Sequence, residues 1–262
     1  GMFRYCLHSA LSDRPVSATA EGEVIMGRKP LDVEKIAMDL IMIDDLAAKK
    51  KLAKKISDLA YEKGIYLSSI HQFYLARGRG EFGRFTVPAI NLRSMTYDLA
   101  RAIFRVAKKN NSGTFIFEIA KSEMGYTNQP PFEYSSVVLV AAIKEGFSGP
   151  VFIQGDHFQV NAKKFKENPE QELDSLKALI SEAIDAGFYN IDIDSSTLVD
   201  LAQTDIKKEQ YFNYEACAKL TQFIRQIQPR GVEVSVGGEI GEVGSKNSTP
   251  EELHAFMRGY RE

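Results

Sequence analysis

The run Pro150-Val151-Phe152-Ile153-Gln154-Gly155-Asp156-His157 ends an apolar stretch in a glycine, an acid and an imidazole. An aspartate can move a proton, and an imidazole beside it is a ready ligand for a divalent metal. The apolar part suits a strand buried on both faces, as in a parallel sheet. Chemistry at the end of such a strand suits delivery to a mouth shared by several strands. Four other apolar segments close in the same way: residues 85–91 in Asn91, 114–120 with Glu118 and then Lys121, 189–194 in Asp194 followed by Ser196, and 232–239 in Glu239. For Glu118 and Lys121 two roles stand side by side, a salt bridge at the rim and a contact to substrate.

Helical patterns separate these strands. Apolar positions recur at helical spacing over residues 97–109, 134–145, 171–186 and 214–227, and Thr249-Pro250 opens a last helix as N-cap and first residue. Gly187 suits the C-cap of the third. Strand and helix alternate from residue 85 onward, which favours a parallel sheet with right-handed crossovers. A doubly wound sheet gathers ligands at one switch point, whereas a barrel gathers them from every strand. Polar residues at all five strand ends fit the barrel better. Ahead of them, Ile36, Leu40, Ile43 and Leu46, and then Ala53, Ile56, Leu59 and Ala60, mark helices, with the lysines at 49–51 on a solvated face. A short helix is expected over 68–77, with His71 in it as a packed or surface residue, and residues 9–30 read as loop.

The chain has 262 residues, 44% of them hydrophobic and 26% charged, as in an ordinary globular protein. A formal net charge of −2 points to neither nucleic acid nor an anionic membrane as partner. No apolar run reaches the roughly 20 residues of a membrane span, and the start lacks a signal pattern, so a cytoplasmic location is expected. Cys6 and Cys217 fit reduced thiols. Gly1 ahead of Met2 reads as a residue left by tag removal.

The motifs together resemble the class II, metal-dependent ketose-bisphosphate aldolases, which are (β/α)8 TIM barrels. Val87-Pro88-Ala89-Ile90-Asn91 is similar to that family's first strand and Gly155-Asp156-His157 to its third. Gly187-Phe188 with Ile193-Asp194-Ser195-Ser196 is similar to the fourth, and Gly238-Glu239-Ile240-Gly241 with Gly244 to the fifth. The resemblance runs from about Ser69 to the end. It implies an α/β fold in which only the first five β/α units of the barrel are present, at 69–262, behind an N-terminal helical extension at 1–68. It also implies roles: His157 and Glu239 as metal ligands, Asp156 as the acid that protonates the aldehyde oxygen, and Asn91, Asp194 and Ser196 as substrate contacts. Zinc or another divalent cation is the expected cofactor, a phosphorylated ketose the expected substrate, and a homo-oligomer the expected assembly.

Two departures qualify this resemblance. The family takes two more metal-binding histidines and its phosphate site from later strands, and His8, His71 and His254 fall on no matching strand. The expectation is therefore the N-terminal part of a longer protein, or a chain completed by another. The position of the family's mobile-loop glutamate falls near Asn247, an amide that cannot act as a base. Two other functions stay open. One is a companion subunit that supports an aldolase without catalysing, as in tagatose-bisphosphate aldolase, to which residues 118–126 are also similar. The other is a metal-dependent barrel isomerase.

Overall fold

The structure, a computed structural model, describes residues 32–241 and 246–262. Residues 9–30, Cys6 and His8, and Glu242, Gly244 and Ser245 behind Glu239, lie outside the described residues.

The elements run α1 (Val33–Met42), α2 (Leu46–Glu62), β1 (Ile65–Leu67), α3 (His71–Gly78), β2 (Ala89–Asn91), α4 (Thr96–Lys109), β3 (Ile116–Ala120), α5 (Lys121–Thr127) and α6 (Pro131–Lys144). They continue with β4 (Gly149–Asp156), α7 (Ala162–Glu167), α8 (Pro169–Asp185), β5 (Asn190–Ile193), α9 (Ile206–Glu209), α10 (Tyr211–Ile227), β6 (Ser235–Gly238) and α11 (Pro250–Arg261). The chain is thus a mixed α/β protein around one parallel sheet, in the order β2-β3-β4-β5-β6, with β1 joined to β4.

β4 holds the sheet together because its eight residues serve three neighbours. Gly149–Val151 pair with β1, Phe152–Asp156 with β3, and Gln154 and Gly155 with β5. β1 was not legible as a strand: three residues show no period. It is fixed from outside by Asn190, whose side chain accepts from Ile70 N (2.8 Å) and donates to Ile153 O (2.9 Å) and Ser68 O (3.3 Å). Gly187, at φ +89°, ends α8 where a Cβ would lie 2.2 Å from Leu67 Cδ1, so the turn needs glycine for both conformation and space.

The period-two alternation gives the two faces of the sheet different chemistry. Phe117, Ile119, Val151, Ile153, Ile191 and Ile193 belong to the main core with the helices. The crossover helices pack side by side, α4 on α6, α6 on α8 and α8 on α10. On the other face Ile116 and Phe152, neighbours in register, form a small separate cluster with Ile70, and Phe73 of α3 packs against it. Further along the strands this face turns polar: Glu118 stands beside Gln154, Ala120 beside Asp156, and Asp192 beside Gly237.

The N-terminal helices are part of the same body. Asp32 and Asp45 cap α1 and α2 by accepting from Lys35 N and Ala48 N. Ile36, Leu40, Ile56 and Ala60 join the main core. The lysines expected on a solvated face divide: Lys50 reaches Asp185 at 3.4 Å across exposed surface, but Lys49 pairs with Glu133 of α6 with both side chains largely buried. The spacing shows three adjacent charges; only the approach of α6 gives one of them a buried partner. No helix among the described residues is long and apolar enough to cross a membrane.

Candidate metal and acid–base site

β4 delivers Asp156 at its last residue, and the chain then turns through His157 at φ +43°, a conformation unusual for a residue with a Cβ. Its neighbours hold that turn. Phe158 N donates to Asp192 O (2.9 Å) and Val160 N to Asp194 O (2.8 Å), so the chain after His157 stays tied to β5. The Phe158 ring folds back under Gly155, where a Cβ would lie 2.5 Å from it. With Phe158 buried below, the imidazole of His157 is left half exposed above.

His157 Nε2 lies 3.1 Å from Glu239 Oε1 and 3.6 Å from Asp156 Oδ1. Asn91 Nδ2 donates to Asp156 Oδ2 (2.8 Å) and to Glu123 Oε2 (3.2 Å). Asp194 accepts from Ser196 through N (3.1 Å) and Oγ (2.7 Å), and from Gln159 Nε2 (2.5 Å). Asn91, Asp156, His157 and Glu239 are thus linked in series, and Asp194, held by Ser196, brings a carboxylate oxygen within 4.8 Å of the ligand atoms of His157 and Glu239. The remaining histidines of the described residues stand apart: His71 faces Glu233 at 3.2 Å, and His254 lies on α11.

Glu118 and Lys121 do not pair with each other. Glu118 accepts from Gln154 Nε2 (3.0 Å) inside the polar face, whereas Lys121 Nζ donates to Gln159 O (3.0 Å) and lies 3.6 Å from Glu172. Of the two roles open for them, a rim salt bridge and a substrate contact, Lys121 makes a salt bridge with Glu172 and not with Glu118, because the strand's end at Ala120 and the start of α5 send the two residues to different neighbours.

Asp192 is the member not singled out by sequence. The signal was present, since Asn190, Asp192 and Asp194 alternate with Ile191 and Ile193. Gly237 makes room for it: a Cβ there would meet Asp192 Oδ1 at 2.6 Å.

Electrostatics follow from crowding acids in a partly dry place. Burial, then Asp194 and Asp192, push Glu239 up to about 7. Burial, then Asp156 and Asp192, push Glu118 up to about 7 as well. Burial also raises Asp192 above the usual carboxylate range. For His157 burial opposes the imidazolium, but Asp156, Glu239, Asp192 and Asp194 outweigh it and raise the pKa. Glu123 goes the other way: burial opposes its charge, yet the Ala120 N–H, Arg93 and Asn91 hold it below the usual range.

A cluster of negative charge that is costly by itself fits a bound cation. His157 with Asp156 and Asp192, and His157 with Asp194 and Glu239, each bring one ligand atom per residue within 4.8 Å of the others. One imidazole and several carboxylate oxygens suit a divalent cation.

Neither a family model nor a curated protein matches the chain. Among solved structures it is similar to one described as a probable tagatose 6 phosphate kinase from Sinorhizobium meliloti 1021. That likeness has a TM-score of 0.49 at 18% identity over 68% of this chain, and the chain spans 44% of the length of that protein.

Proposed function

We propose that the chain is a divalent-metal-dependent, aldolase-type lyase acting on a phosphorylated ketose, built from the first five β/α units of a (β/α)8 barrel of the class II aldolase kind. The observation that carries this reading is the meeting of Asp156, His157 and Glu239 at the strand ends, with Asn91, Asp194 and Ser196 around them. The crossover helices stacked side by side on one face, and the polar residues toward the strand ends of the other, support the barrel part of it.

The residues fit a cation that His157 and Glu239 would hold, with Asp194 as a further oxygen donor. Bound there, zinc or a harder divalent ion would supply a Lewis acid toward the ketose carbonyl. The chain's own groups do the rest. Asp156 takes the hydroxyl proton during cleavage and returns it to the aldehyde oxygen during condensation. Asn91, anchored on Glu123, holds Asp156 Oδ2 and so directs the other oxygen toward His157. Ser196 and Gln159 fix Asp194 as a wall of the same mouth.

The test is aldol cleavage of phosphorylated ketoses by the protein loaded with Zn2+ or Mn2+, read by aldehyde release. Turnover is expected and should fall at least a hundredfold in Asp156→Ala, the scale of one lost general acid–base group. Unchanged turnover in that variant would reject the role given to Asp156. Metal retention without any cleavage would favour the second reading, a companion subunit; the presence of only one imidazole in the two donor sets is what supports it.

A further inference from the structure

Three polar side chains behind the site carry no role in the chemistry above: Ser195, Gln210 and Asn213. Each is fully buried, at 0% exposure, in the seam between β5, β6 and α10. A buried polar group is tolerated when its hydrogen bonds are made, and here they are made in one connected network. Asn213 Nδ2 donates to the backbone oxygen of Glu239 (2.8 Å) and to Gln210 Oε1 (3.0 Å). Gln210 Nε2 donates to the backbone oxygen of Ile240 (2.9 Å). The single Ser195 hydroxyl proton faces both Asn213 Oδ1 (2.6 Å) and the Asn213 backbone oxygen (3.0 Å). Carbonyl oxygens only accept, so Glu239 O and Ile240 O fix which way both amides point.

This chain joins the two places that must keep a fixed separation. Ser195 lies between Asp194 and Ser196 at the end of β5, and Glu239 and Ile240 follow β6. The pairing of β5 with β6 ends at Ile193 and Gly238, one residue short of both acids. Beyond that point the sheet no longer fixes the distance from Asp194 to Glu239, and the side-chain network takes over. An apolar trio would fill the seam without setting that distance.

We infer that Asn213, with Ser195 and Gln210, is a positioning residue that sets Glu239 against Asp194 and His157. Its bond is to the Glu239 backbone, so it acts on where the carboxylate stands and touches no substrate. The cation-affinity part of this inference rests on the metal reading above; the part about Glu239's backbone does not.

The experiment compares the wild-type chain with Asn213→Ala, Ser195→Ala and the control Ile224→Ala. Ile224 is on the same helix, fully buried and outside the network, so its loss lowers stability without touching the seam. The first readout is hydrogen exchange of residues 235–241 in metal-free protein, normalised to each variant's global stability. Exchange there should quicken by at least tenfold in Asn213→Ala and less in Ser195→Ala, and stay at the wild-type level in Ile224→Ala. The second is Zn2+ and Mn2+ affinity by calorimetry, which should weaken by about 10- to 100-fold in Asn213→Ala, the range seen when a group orienting a ligand is removed. Ile224→Ala should stay within twofold. If Asn213→Ala does not fold, Ser195→Ala, which keeps both amides, decides alone. Normalised exchange at the wild-type level in the folded network variants would overturn the inference. Failure of the wild type to bind either ion would overturn the metal reading instead, with the exchange result still deciding whether Asn213 positions Glu239.

Discussion

At the scale of single residues, the site stores repulsion. Asp156, Asp192, Asp194 and Glu239 surround one imidazole, and Glu118 sits close enough to feel two of them. Glu118 and Glu239 are raised from 4.5 to about 7. An acid whose folded pKa is raised stabilises the fold fully below its unfolded pKa, and that contribution is lost as pH climbs through the folded value. His157, also raised, acts in the same direction. Metal-free protein should therefore lose stability between pH 5 and pH 8, and Glu118→Gln should flatten the loss and stabilise at pH 8 by about 1 kcal/mol. Urea denaturation at several pH values measures both. Metal-free protein that grows more stable toward pH 8 would mean that these acids are not crowded together. Excess Mn2+ should remove the loss in the wild type, since a ligand bound only by the folded state adds stability by mass action. His157→Ala should weaken that effect at least tenfold on the metal concentration axis.

At the scale of elements, the legible parts are those with a period or a chemical end. The strand ends at Asn91, Asp156, Asp194 and Glu239 could be read because an apolar run stops at a polar residue, and these residues do meet. Thr249 does form a capping box with Glu252 ahead of Pro250. What could not be read is what depends on a neighbour. β1 exists because β4 offers Gly149–Val151 and Asn190 holds the exit of the strand; Lys49 is buried because α6 brings Glu133. The strand expected over 85–91 shrinks to Ala89–Asn91, with Pro88 taking part only as an acceptor, from Ile116 N. Asn190 makes the sharpest test at this scale. Asn190→Ala leaves Ile70 N and two carbonyls without their partner, and should cost about 3 kcal/mol, from roughly 1–3 kcal/mol for each buried group left unpaired. Denaturation midpoints check it; a loss below about 1 kcal/mol would mean that β1 is held by its ladder alone.

At the scale of the whole molecule, the question is whether residues 32–68 form a separate extension or part of one cooperative body. The division at 68 follows from the resemblance, which has no counterpart for the earlier segment. The packing crosses that boundary. Ile36, Leu40 and Ile56 lie in the same core as Phe117, Ile153 and Ile191, β1 adds its hydrogen bonds to β4, and Lys49 spans to Glu133. A segment that shares its core with the rest cannot melt without exposing β1 and the side of α6 it covers, which costs roughly 25 cal/mol for every Å² of apolar area returned to water. Ile56, fully buried on α2, probes this directly. Ile56→Ala should lower global stability by about 2–5 kcal/mol, the cost of a cavity in a packed core, and fluorescence from Tyr61 in α2 should change at the same denaturant concentration as far-ultraviolet dichroism when the other tyrosines are replaced by phenylalanine. An earlier Tyr61 transition, with the dichroism midpoint unmoved by Ile56→Ala, would show two bodies. The shared core argues for one, in which the helices ahead of β1 brace α6 and, through it, β3 and β4, which carry Glu118 and Asp156.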